Sequence, residues 1–89
     1  TLMPTVWIPS LMQKLTGGQA QVEVEGTTVR QVVESLEAGF PGFKARICDN
    51  DRIRSDISVA VDGEISNEDM RRKVGPDSEV HFLPALSGG

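Results

Sequence analysis

QVEVEGTTVRQVVESLEAG, residues 21–39, changes its hydrophobic period partway along, and that change decides the architecture. Gln21-Val22-Glu23-Val24-Glu25 alternates polar and apolar residues, the pattern of a strand with one buried face, and Gly26 closes it. After Thr28 the apolar positions Val29, Val32, Val33 and Leu36 recur at the spacing of one helical face, with Arg30, Glu34, Ser35 and Glu37 opposite. Thr28 stands three residues before Gln31. At that spacing a hydroxyl and an amide side chain satisfy each other's exposed backbone N–H groups, so Thr28 is read as the N-cap. Gly39 is expected to end the helix in the left-handed conformation.

Upstream, Thr5-Val6-Trp7-Ile8 is β-branched and aromatic and stops at Pro9, which has no ladder donor, so it is a first strand. Ser10 to Gln19 carries Leu11, Met12 and Leu15 before Gly17-Gly18, a broad loop with one helical turn. The chain therefore opens with a hairpin joined by a long loop. Downstream, Pro41 prevents the helix from continuing, and Phe43 with Ile47 tucks a short helical piece under the sheet. Asp49 to Asp56, with three acids and two arginines, has the composition of a solvated loop. Ile57-Ser58-Val59-Ala60-Val61 alternates again and reaches Asp62-Gly63, the pair that favours a two-residue hairpin turn, with Glu64-Ile65 returning. Glu64, Glu68, Asp69 and Arg71-Arg72-Lys73 form a charged run expected on the solvated surface, open to steering a charged partner. After the turn at Gly75-Pro76-Asp77, Glu79-Val80-His81-Phe82-Leu83 is the last strand, and Pro84 ends its hydrogen bonding.

The order is β-β-α-β-β-β. A single long helix must cover one face of the sheet, and a right-handed crossover then sets the first and last strands side by side and parallel at the centre. The expectation is an α+β domain of the β-grasp type: a mixed sheet of four to five strands with one main helix packed on one face. Residues 1–84 would form that domain and residues 85–89 a flexible tail ending in Gly-Gly.

Composition narrows the function. With 89 residues, 38% apolar and 25% charged, there is material for one core and no room for a deep catalytic cleft. A net charge of −4, with nine Lys and Arg scattered among thirteen acids, argues against nucleic acid, whose phosphates need a dense cationic surface. No apolar run approaches the roughly 20 residues that span a bilayer, and the start lacks a signal-peptide layout. Cys48 is the only cysteine, so no internal disulfide forms. A cytoplasmic location is expected.

The stretch Val80-His81-Phe82-Leu83-Pro84-Ala85-Leu86-Ser87-Gly88-Gly89 combines a closing strand, a proline, a short spacer and a diglycine. On it, and on the order of elements, the chain resembles the sulfur-carrier branch of the ubiquitin-like superfamily. That branch includes the small subunit of molybdopterin synthase, the thiamin sulfur carrier and the carrier that feeds cysteine biosynthesis. The Leu15-Thr16-Gly17-Gly18-Gln19 loop looks most like the cysteine-biosynthesis carriers. The resemblance implies a protein that is not itself an enzyme. Its Gly89 carboxylate would be adenylated by a separate enzyme resembling the ubiquitin-activating class, which uses ATP. A sulfur donor would then convert it to a thiocarboxylate, delivered to a sulfur-accepting biosynthetic enzyme. Two alternatives stay open: the small subunit of molybdopterin synthase, and a protein modifier joined through Gly89 to a lysine.

In that reading Leu86, Ser87 and Gly88 are the arm behind Gly89; glycines without Cβ atoms pass a channel too narrow for side chains. If Val6, Ile8, Val80 and Phe82 point inward, alternation throws Trp7, His81 and Leu83 onto the face away from the helix, as a partner-binding patch. His81 is the only histidine and has no Cys or carboxylate cluster at ligand spacing, so neither a metal nor a bound cofactor is expected. Cys48 reads as a small, partly buried apolar residue, with a thioester or acyl-disulfide role open.

Overall fold

At Gly26 the chain passes from a strand to a helix, and the connecting backbone lies close against that helix. The computed structural model describes residues 3–50, 52–65 and 69–84. Helix α1, Val29–Gly39, begins at Thr28, whose side chain accepts the Gln31 N–H at 3.2 Å. The Gln31 amide oxygen returns to the Thr27 N–H and hydroxyl, both at 2.8 Å, one residue earlier than the reciprocal cap expected from the spacing. Val29, Val32, Val33 and Leu36 are fully buried, each contributing roughly 1.5–3 kcal/mol of hydrophobic stabilisation. Gly26 is required where the chain crosses this helix: a Cβ there would lie 2.8 Å from the Val32 nitrogen.

The helix does not end as expected. Gly39 is its last helical residue, Phe40 follows at φ −136°, and the left-handed glycine is Gly42 at φ 98°. Gly42 leads into helix α2, Phe43–Ile47, which buries Phe43 and Ile47. The Glu37 carboxylate accepts the N–H groups of Lys44 (2.8 Å) and Gly42 (3.1 Å), capping α2. Those two bonds, that from Lys44 first, hold the Glu37 carboxyl below its ordinary value.

Strands β1 (Thr5–Trp7) and β2 (Gln21–Glu23) are antiparallel and flank a 3₁₀ helix, Ser10–Thr16, longer than the single turn expected. Thr16, 1% exposed, fastens this loop, its hydroxyl within reach of the Gln13 and Gln19 carbonyls at 3.0 and 2.8 Å. The segment expected as a plain loop from Asp49 to Asp56 instead contains a small ribbon, β3 (Cys48–Asp49) against β4 (Arg52–Ile53). Ile53 packs partly buried against the core, which anchors what composition alone marks as solvated. Strand β5 (Ile57–Val61) turns through Asp62 and Gly63, at φ 53° and 84°, into β6 (Glu64–Ile65).

A second 3₁₀ turn, Asp69–Arg71, precedes β7, Glu79–Pro84. Within the charged run Glu64, Arg71 and Lys73 are exposed, as expected, Arg72 is half-buried, and Glu68 lies outside the described residues. Met70 and Val74 enter the core, the Arg72 carbonyl and Val74 N–H bond Val29 and Thr27 at the start of α1, and the Arg72 guanidinium reaches Glu64 at 3.4 Å. Among the described residues the main sheet has five strands in the order β2-β1-β7-β5-β6, with β1 and β7 parallel at its centre. This is the β-grasp arrangement, α1 and α2 covering one face, with the Phe43 and Phe82 rings meeting edge to face at 6.2 Å. No helix of the described residues is long and apolar enough to cross a membrane.

Candidate functional site

Two strands distant in sequence build the face opposite the helices. β1 pairs with β7 so that Val6 stands beside Val80 and Trp7 beside His81. Val6, Ile8, Val80 and Phe82 are 0, 5, 0 and 2% exposed, whereas Leu83 is 40% exposed, so alternation sends Trp7, His81 and Leu83 to the other face. The Trp7 and His81 rings stack with centroids 5.3 Å apart and planes 7° from parallel. The indole Nε1–H donates to the Glu79 carboxylate at 3.2 Å, fixing the ring along the strand.

The register extends this pair into a row. His81 lies opposite Ala60 on β5, Ala60 opposite Ile65 on β6, and Trp7 opposite Gln21 on β2. Cross-strand partners share a face, and strands lie about 4.8 Å apart, so the row from Gln21 to Ile65 spans about 19 Å. Ala60, 5% exposed, is too short to rise past its neighbours, while Ile65 is 62% exposed. The surface is therefore an aromatic shelf, a dip and an aliphatic rise, with Leu83 beside Ser58 toward the end of β7. Glu79 and Glu23, each opposite Thr5, give the face an acidic margin at the start of β7.

Sequence reasoning placed Trp7, His81 and Leu83 here and missed Ala60 and Ile65. The two-residue turn at Asp62-Gly63 already pairs Ala60 with Ile65; the pairing of Ala60 with His81 depends on where β5 docks, which no local signal carries. Leu86, Ser87, Gly88 and Gly89 lie outside the described residues. Cys48 is 9% exposed, at the junction of α2 and β3, remote in the fold from this face. Among the described residues no group of three or more His, Cys, Asp or Glu could hold a metal ion.

The face thus presents half-buried Trp7 and His81 beside exposed Leu83 and Ile65. Comparison with known proteins agrees on the lineage. The sulfur carrier protein CysO of Mycobacterium tuberculosis is 31% identical over 91 residues, covering 96% of this chain and 97% of that protein. A chain of the Amycolatopsis orientalis BexX/CysO complex superposes with a TM-score of 0.89 at 31% identity, covering 97% of this chain and 99% of the other. The crystal structure of Mycobacterium tuberculosis CysO gives 0.86 at 27% identity, covering 93% and 99%. With the ThiS family model matching residues 6–89 as well, the chain belongs to the ThiS family.

Proposed function

We propose that this protein is a sulfur carrier for the biosynthesis of cysteine or a related sulfur metabolite, loaded at Gly89 by a partner enzyme. The observation that carries the reading is the course of β7. The central strand that displays His81 and Leu83 on the open face ends at Pro84, five residues before Gly89. A partner gripping that face holds the root of the terminal segment at the same time. Likeness to CysO along nearly the whole chain supports the choice of sulfur as cargo.

In the proposed chemistry a carboxylate oxygen of Gly89 attacks the α-phosphorus of ATP on the adenylating enzyme, and pyrophosphate leaves. The acyl adenylate is then attacked at its carbonyl carbon by a sulfur donor, and AMP departs with the bridging oxygen. The thiocarboxylate that results is an anionic nucleophile at neutral pH. This chain supplies the acyl group and the docking face; the partner supplies nucleotide binding and catalysis. The molybdopterin synthase subunit and protein-modifier alternatives share the fold, and no specific observation favours either.

Intact-mass measurement tests the reading. After incubation with the adenylating enzyme, Mg-ATP and a sulfide source, the chain should gain the mass of one sulfur for one oxygen at its terminus. A chain lacking Gly89 should not load although it folds normally. Equal loading of the shortened chain refutes the proposal.

A further inference from the structure

A second surface lies where the main sheet meets the 3₁₀ helix and α2. Met12, Ile57, Phe82 and Leu83 floor a cleft of about 420 Å³, and Lys14 and Arg46 stand at its rim. Both cations are exposed, and among the described residues neither has a salt bridge. The one acid on the same rim, Asp56, already accepts the Arg54 Nε–H at 3.1 Å. Among the described residues two cations thus stand against one acid beside this apolar floor, in a chain of net charge −4. The opposite end of β7 is acidic instead, with Glu79, Asp62 and Glu23.

We propose that this cleft docks an acidic and apolar segment of the enzyme that adenylates Gly89. The inference rests on the sulfur-carrier reading and adds the chemistry of the partner's contact. Phe82 and Leu83 lead directly into Pro84, and the five residues beyond it reach at most about 17 Å when fully extended. A protein that draws Gly89 into its nucleotide pocket must therefore press against this end of the domain, and the cleft falls inside its footprint. A partner side chain of aliphatic or aromatic type fills the floor between Met12 and Leu83. Carboxylates flanking it face Lys14 and Arg46, the complementary arrangement that speeds encounter and fixes orientation.

The test uses the full chain, the adenylating enzyme of the same organism and Mg-ATP, with pyrophosphate release as the readout. Lys14→Glu with Arg46→Glu should raise KM for this chain by about tenfold or more, and the salt dependence of the wild-type KM should flatten. The milder pair Lys14→Gln and Arg46→Gln should give an intermediate rise. Arg71→Glu with Lys73→Glu makes the same change of net charge near the other end of β7, where both residues are exposed, and should leave KM near wild type. Melting curves establish that each variant is folded. An equal KM for the cleft and control pairs overturns the docking site while sulfur loading stands. Failure of the wild-type chain to be adenylated at all overturns both readings.

Discussion

Replacing Trp7 with alanine separates a docking residue from a core residue. Three contributions are lost with the indole. The stack on His81, at 5.3 Å and nearly parallel, is worth about 0.5–1.5 kcal/mol beyond the area it covers. The Nε1–H bond to Glu79 is exposed and adds about 0.5 kcal/mol. Alanine is also a poorer strand former than tryptophan by up to about 1 kcal/mol. Together these amount to about 2 kcal/mol, which in a domain of 89 residues lowers Tm by about 8–16 °C. Domains of this kind are stable by about 5 kcal/mol or more, so the variant remains folded at room temperature. If Trp7 anchors a partner, its truncation should cost about 2 kcal/mol of binding, a rise of about thirtyfold in KM for the adenylating enzyme. Trp7→Phe keeps a ring against His81 and should recover most of the stability while losing the Glu79 bond. Far-UV circular dichroism melts and pyrophosphate-release kinetics read the two effects separately. A Trp7→Ala chain with no cooperative melt would mean that the side chain supports the core; one that melts as expected with an unchanged KM would mean that this face is not where the enzyme docks.

Two further outcomes test the framework that positions the face. The Asp62 carboxylate accepts the Glu79 N–H at 3.0 Å and the Ser78 hydroxyl at 2.8 Å, and these bonds, the first more than the second, lower its carboxyl from the ordinary value. Its ionised form is therefore the stabilising one, with its contribution present above the unfolded aspartate value of about 3.9 and lost as pH falls through the lower folded value. Asp62→Asn should cost about 1 kcal/mol at neutral pH, discounted for its exposure, and urea titrations of both chains should converge in acid; a gap independent of pH contradicts the assignment. Gly26→Ala places a methyl 2.8 Å from the Val32 nitrogen and 2.9 Å from Val32 Cγ2. Because a backbone atom cannot rotate away, the crossing must shift at a cost of about 1–3 kcal/mol, and an unchanged denaturation midpoint would show that the approach is looser than described.

The strands at Val6 and Val80, the helix at Val32, the cap at Thr28 and the turn at Asp62-Gly63 were legible because each is written within a few residues of itself. Period two, period 3.6, a hydroxyl three residues from an amide and a pair tolerant of positive φ need no distant partner to be recognised. Local reading erred where two local solutions compete. Gly39 and Gly42 both suit a helix end, and the cap of α2 by Glu37 uses Gly42 as the left-handed residue. Around Cys48 and Ile53 the charged composition concealed a ribbon, because a single half-buried isoleucine and a two-residue pairing leave no periodic trace.

The sequence by itself thus determined the order of the main sheet's strands and its long helix, the β-grasp class, and the outward direction of Trp7, His81 and Leu83, since alternation along a strand is a property of its own backbone. Tertiary structure decided how those side chains meet: the stack of Trp7 on His81, the dip at Ala60, the rise at Ile65, and the cleft between Met12 and Leu83. Each depends on the register between strands joined by long connections. Register is chosen by the burial of Val6, Val61, Val80 and Phe82 against the helices, a collective energy that no short window of residues contains.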